Sequence, residues 1–193
     1  GSEMCIRDRI EGLAAEKHEA GSIAQKVGEL YNIAMDSVKL NKEGAAPIKP
    51  ELEKIGAIKD KAEIYPLIVE MQQRGMYPYF ILYVSADDMN SNENMVHTMQ
   101  GGLGMGERDY YLEDDAQTKE IRDKYQQHVS KMFQLAGYDE ATARKAVKAV
   151  MNIETRLARS ARSQVELRDP HANYNKKTLE ELQKEYPSFA WDV

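Results

Sequence analysis

The sequence predicts a mainly α-helical domain carrying one small β-hairpin. Apolar residues recur at helical spacing through most of the chain, as in Ile121, Tyr125, Val129, Met132 and Ala136. A single run, Tyr79-Phe80-Ile81-Leu82-Tyr83-Val84, is rich in aromatic and β-branched residues and suits a pleated, buried surface. Capping residues and glycine or proline stops bound most of the helical stretches.

The first helix is expected over residues 22–40. Ser22 and Gln25 form a capping box, and Ile23, Val27, Leu30, Tyr31, Ala34 and Val38 follow as a core stripe. Asn41 to Gly44 ends it, and Pro47 and Pro50 bound a short linker. Leu52, Ile55 and Ile58 mark a short helix. Asp60 and Glu63 propose a cap for the next, whose face is Ile64, Leu67, Ile68 and Met71. Pro66 either kinks that helix or lies near its start, and Gly75 stops it. Asp114 and Gln117 cap a helix over 116–136 that Gly137 ends. Asp139 opens another over 140–162, an antiparallel neighbour with Ala143, Val147, Val150, Ile153 and Leu157 on its face. Arg159, Arg162 and Arg168 give its end a basic character that suits the helix dipole. Residues 169–175 read as a loop. Thr178 and Glu181 cap a last short helix that Pro187 closes.

The central stretch, 79–112, organises the chain. The strands are expected at Tyr79–Ser85 and Met95–Gln100, turned by the polar run Asp87 to Asn94. Asp88, Asn90 and Asn92 copy the opening of a calcium loop, but Glu93 and Met99 occupy its required Gly and Glu positions; a solvated turn is the better reading. Gly101, Gly102, Gly104 and Gly106 lack the spacing of a phosphate cradle, and close backbone packing explains them better. Arg108 and Asp109 read as a structural ion pair beside Tyr110 and Tyr111. Glu154 falls on an apolar stripe and is expected to be buried and paired with an arginine, Arg108 foremost. Breaking such a pair costs about 3–5 kcal/mol.

With 193 residues, 42% hydrophobic and 30% charged, the chain has a globular composition. A net charge of −6 without a basic, aromatic-interleaved cluster argues against a nucleic-acid partner. No apolar run approaches a membrane span, and no signal peptide is visible in these residues. One cysteine, Cys5, cannot form an internal disulfide. Residues 1–9 read as a tag or non-native leader, and 10–193 as the domain.

Several short motifs resemble the N-terminal half of the neprilysin-like zinc metallopeptidases. They are Asp87-Asp88-Met89-Asn90-Ser91, Gln100-Gly101-Gly102-Leu103-Gly104, Arg108-Asp109-Tyr110-Tyr111-Leu112 and Tyr174-Asn175-Lys176-Lys177-Thr178-Leu179. The sequence departs from the family pattern at Met89, at Gly106-Glu107 and at Lys177. The resemblance runs from about Glu19 to Trp191. It implies a partial N-terminal helical domain, a fragment of a larger two-domain metallopeptidase, whose zinc and catalytic residues lie in the C-terminal half. Its residues here, Asp88, Asn90, Gly102, Gly104, Arg108, Asp109, Tyr110, Tyr174 and Asn175, are then structural, as Glu154 is on its apolar stripe. No catalytic or metal-binding residue is carried over.

The residues agree with that assignment. Zinc peptidases of this kind use H-E-x-x-H, in which two histidines share a helix face and the Glu activates water. Of His18, His97, His128 and His171, only His18 is followed by Glu, and Ser22 stands at the second His position. The expected role is to shape the substrate chamber and restrict peptide access, with no cofactor in this fragment and zinc in the parent. The expected partners are the catalytic domain and the parent's peptide substrates. The expected setting is extracytoplasmic. The alternative is a free-standing helical interaction module, which an H-E-x-x-H helix encoded downstream would exclude. Apolar faces beside Phe189-Ala190-Trp191 and the ten methionines predict self-association, most simply a homodimer burying at least about 1,000 Å².

Overall fold

The computed structural model describes residues 3–187, 189 and 191, with the side chains of Glu3 and Met4 excepted. Helices dominate, and one antiparallel hairpin accompanies them. The chain divides into two compact units, 1–47 and 48–193.

In the first unit, α1 (Glu3–Ala15) runs unbroken across Arg9 and Ile10. It packs on α2 (Ile23–Ala34). Gly28 makes this possible: a Cβ there would lie 2.6 Å from the Leu13 carbonyl oxygen. Tyr31 donates to Glu11 (2.9 Å), and Asn32 donates to the Ala14 carbonyl (3.0 Å). Two expectations fail here. The helix over 22–40 breaks after Ala34, because the Asp36 carboxylate accepts from Lys39 N–H (2.9 Å) and caps a new helix, α3 (Ser37–Glu43). The stripe Ile23, Leu30 and Val38 is not core: these side chains are 81%, 69% and 79% exposed. The glycine side of α2 packs instead, since the shortest side chain allows the closest approach.

The second unit opens with α4 (Lys49–Ala57), a 3-10 turn at Lys61–Glu63 and α5 (Ile64–Gln73). Pro66 lies in the first turn of α5, where its missing donor costs no intrahelical bond. Ion pairs Lys54–Glu70 and Arg74–Glu51 tie α4 to the α5 region.

The hairpin pairs β1 (Phe80–Asp87) with β2 (Asn90–Gln100). Its turn is tighter than expected. The Asp87 carboxylate accepts from Met89 N–H (2.9 Å) and closes the chain at once. Ala86 faces Asn94 but Asp87 faces Asn90, so Ser91, Asn92 and Glu93 bulge from the ladder. Nor is the hairpin buried: Leu82, Tyr83, Val84, Val96 and Met99 are all exposed. Among the described residues no third strand joins the pair to cover it.

Beyond the glycines lie α6 (Asp109–Leu112), α7 (Ala116–Leu135) and α8 (Glu140–Ser160). The last two are side by side, and α6 packs on both. Asp115, one residue later than expected, caps α7 by accepting from Thr118 N–H (3.0 Å). Asp139 caps α8 as expected. Ala143 and Ala158 are completely buried, and Ile68 and Tyr111 join them in the core. The segment read as a loop contains a short helix, α9 (Pro170–Asn173), capped by Asp169. The capping box of Thr178 and Glu181 opens α10 (Leu179–Glu185) with both reciprocal bonds formed. Phe189 lies edge-on to Tyr65 and Phe80, at 5.1 and 5.7 Å. Ala190, Asp192 and Val193, the rest of the terminal segment expected to border open apolar faces, lie outside the described residues.

Candidate functional site

The motif residues gather into two tied clusters within the second unit. In the first, α8 presents Glu154 toward α6 and α7. Tyr111 donates to Glu154 Oε2 (2.6 Å), and Tyr125 donates to Oε1 (3.0 Å). The Tyr111 oxygen in turn accepts from Met105 N–H (2.9 Å). Burial, then the bond to Glu154, pushes the Tyr111 phenol far above its ordinary pKa. Burial and the Glu154 charge raise Tyr125 to about 12. Both hydroxyls therefore remain donors at any physiological pH.

This corrects the expected ion pair. Glu154 is half-buried, and its partners are phenols rather than Arg108. Arg108 donates to the Ala161 carbonyl (2.7 Å) at the end of α8, where a cation also suits the helix dipole. Its approach to Asp109 is only 3.9 Å, and the Asp109 carboxylate is largely solvated. Gln100 completes the junction: its side-chain amide donates to the Arg162 carbonyl (3.0 Å) and accepts from Arg162 N–H (2.8 Å). Arg162 itself turns to the Ala172 carbonyl and Asn173 rather than serving the helix end.

Close packing holds at Gly101, Gly102 and Gly104 but not at Gly106, where φ is +86 and a Cβ would meet nothing within 4 Å. Gly102 has φ +74, and a Cβ there would lie 2.8 Å from Tyr79 Cα and 3.0 Å from Leu157 Cδ1. At Gly104 a Cβ would overlap the Tyr125 hydroxyl. Tyr79 is the one non-glycine residue with positive φ, +70, among those described. Phe80 N–H donates to the Pro78 carbonyl (2.9 Å), making a tight turn whose central residue is strained by about 1–3 kcal/mol.

The second cluster joins the hairpin tip to the segment after α9. Asp87, 2% exposed, accepts from Lys176 (2.7 Å) and Tyr174 (3.1 Å). The Lys176 ammonium, then Met89 N–H, lowers the Asp87 pKa to about 2. Two motifs far apart in sequence thus meet in one contact. Asp88 is exposed at the turn, and Asn90 accepts from Asn92 N–H (3.3 Å). Asn175 donates to the Ala172 carbonyl (3.3 Å), and the Tyr110 carbonyl accepts from Arg122 (3.2 Å).

Sequence reasoning missed Asp87, Lys176 and Tyr125 as partners. The signal for Tyr125 was present: it lies on the stripe of α7 that faces the stripe of α8 carrying Glu154. Nothing local marked Asp87 over Asp88, because strand phase alone decides which of them turns inward.

The residues do not fit a zinc site. Among those described, no three His, Cys, Asp or Glu side chains gather to hold a metal ion. His18 engages the Leu13 carbonyl (2.9 Å), and His97 engages the Ala86 carbonyl (3.1 Å) while stacking on Tyr83. The arrangement ties the hairpin, α6 and α7 to α8.

A helical scaffold with one hairpin, locked to its longest helices through these motifs, is the N-terminal region of a neprilysin-like metallopeptidase. The chain belongs to peptidase family M13, whose N-terminal family model matches residues 2–193. Endothelin-converting enzyme 1 of Cavia porcellus is 31% identical across 98% of this chain. The Mycobacterium tuberculosis zinc metalloprotease Zmp1, solved with an inhibitor, is 28% identical with a TM-score of 0.82 over 97% of this chain. PepO from Lactobacillus rhamnosis, 16% identical over 94% of this chain, shares the fold at a TM-score of 0.78. The chain spans 26% of the guinea-pig protein's length, 28% of the Zmp1 chain and 29% of the PepO chain.

Proposed function

We propose that this chain is the non-catalytic N-terminal portion of a zinc metalloendopeptidase, where it shapes the substrate chamber and restricts which peptides reach the metal. The observation that carries the reading is the likeness of 97% of this chain to a part of Zmp1, a zinc metalloprotease solved with an inhibitor. The tied motifs support it, because they brace the hairpin against α8 and the segment after α9. Exposed apolar positions on the hairpin, Leu82, Val84 and Val96, suit a surface that other parts of a larger protein or its peptides would meet. Zinc would be held by the remainder of the parent, together with the H-E-x-x-H chemistry that the resemblance implies. An extracytoplasmic parent belongs to the same reading; none of the described helices is long and apolar enough to cross a membrane.

The test uses the full parent polypeptide with the hairpin tip, Asp88–Glu93, shortened to a two-residue turn. The kcat/KM for a long polypeptide should rise relative to that for a short quenched peptide, while the short peptide's own value holds. An unchanged ratio refutes the chamber role. The chain by itself, washed with chelator, should cleave no quenched peptide and retain no stoichiometric zinc; zinc-dependent cleavage by it would overturn the assignment.

A further inference from the structure

A groove of about 470 Å³ lies over the first cluster. Tyr77, Pro78 and Tyr79 form one wall, and Val150, Ile153 and Leu157 of α8 form the other. Gly102 to Gly104 make the floor, beside the Glu154 carboxylate. Among the described residues, no cationic side chain lies within 4.0 Å of Glu154. Its hydrogen-bond partners are the two phenols, so the carboxylate faces an apolar groove without a cation beside it. The two wall tyrosines are 44% and 41% exposed, and Ile153 is 42% exposed. These rings and this aliphatic rim remain open to a ligand.

We infer that this groove receives an arginine side chain from a partner polypeptide segment with apolar neighbours. Each part of that chemistry meets a feature of the groove. The guanidinium would bond the unused lone pairs of Glu154 in a charge-assisted pair. Its planar face would lie against the Tyr77 or Tyr79 ring. The aliphatic stem and the neighbouring apolar residues would cover Val150, Ile153 and Leu157. The strained turn at Tyr79 sets the first wall over Gly102, so the groove is shaped before anything enters it.

The test titrates the chain with a fluorescein-labelled Ala-Leu-Arg-Leu-Ala peptide and with its citrulline counterpart, which keeps the shape and loses the charge. Amide shifts at Gly102, Leu103 and Gly104 report where each peptide sits. The arginine peptide should bind with a Kd on the order of 1 mM or tighter. The citrulline peptide should bind about tenfold more weakly. Glu154→Gln should erase that difference. Ile153→Lys, at the rim and outside the phenol network, should abolish binding while leaving the melting temperature near that of the unsubstituted chain.

No arginine-peptide binding to about 5 mM overturns the inference, as do equal affinities for the two peptides or shifts elsewhere. Equal binding of arginine methylamide would assign the groove to a small cation and overturn the polypeptide partner. A dimer that Ile153→Lys converts to monomer would assign it to a second copy, again overturning the inference.

Discussion

Replacing Gly102 with alanine tests the packing that joins the hairpin to α8. Two costs follow from the structure. At φ +74 an L side chain meets its own backbone, a penalty of about 1–2 kcal/mol. The new Cβ also lies 2.8 Å from Tyr79 Cα, a backbone atom that cannot rotate away, and 3.0 Å from Leu157 Cδ1. Overpacking of this kind adds about 1–3 kcal/mol. The expected loss is therefore about 2–5 kcal/mol, or about 5–15 °C in Tm for a chain of this size. Gly137→Ala is the control: its φ is +99 but nothing stands within 4 Å, so only the conformational penalty of about 1–2 kcal/mol applies. Thermal unfolding followed by near-UV dichroism, to which the buried tyrosines contribute, compares the two variants. If Gly102→Ala melts within about 2 °C of Gly137→Ala, the close approach at Tyr79 is not a real constraint.

Tyr111→Phe should cost about 1.5–3 kcal/mol in urea unfolding, because it removes a donor to a charged carboxylate and an acceptor from Met105 N–H; a neutral result would show that Glu154 does not need it. Tyr125 titrates in the folded state near 12, above its ordinary value of 10, so its contribution is complete below pH 10 and is lost as pH rises from 10 to 12. Absorbance of the tyrosinate at high pH, compared with Tyr125→Phe, should show one fewer late-titrating group. Asp87 behaves oppositely: its folded pKa of about 2 lies below the ordinary 3.8, so its stabilisation is present above pH 3.8 and is lost as pH falls toward 2. Asp87→Asn should flatten the acid side of the stability curve, and an unaltered curve would refute the clasp with Lys176. We also propose that the isolated chain self-associates, on the strength of exposed Ile23, Leu30 and Val38 in one unit and Val84 and Val96 in the other. Sedimentation velocity should show a species heavier than monomer as concentration rises, and a monomer throughout would rule this out.

Periodicity and caps by themselves determined that this chain is helical with one hairpin, and placed α7 and α8 to within about two residues. These are local properties, set by backbone sterics and by donors within one turn of their acceptors. The motifs likewise determined the family, since their residue order survives without any knowledge of contacts. Which apolar stripe is buried was not legible. Ile23, Leu30 and Val38 have the spacing of a core face, yet α1 meets α2 at Gly28, because close approach favours the smallest residue over the most apolar. The partner of Glu154 was equally beyond reach: an arginine is the commoner answer for a carboxylate on an apolar face, but Arg108 lies at the end of α8, and the phenols of Tyr111 and Tyr125 reach the carboxylate first. Asp87 and Lys176 meet across most of the second unit, and only the bulged hairpin, by turning Asp87 inward and Asp88 out, decides that they do.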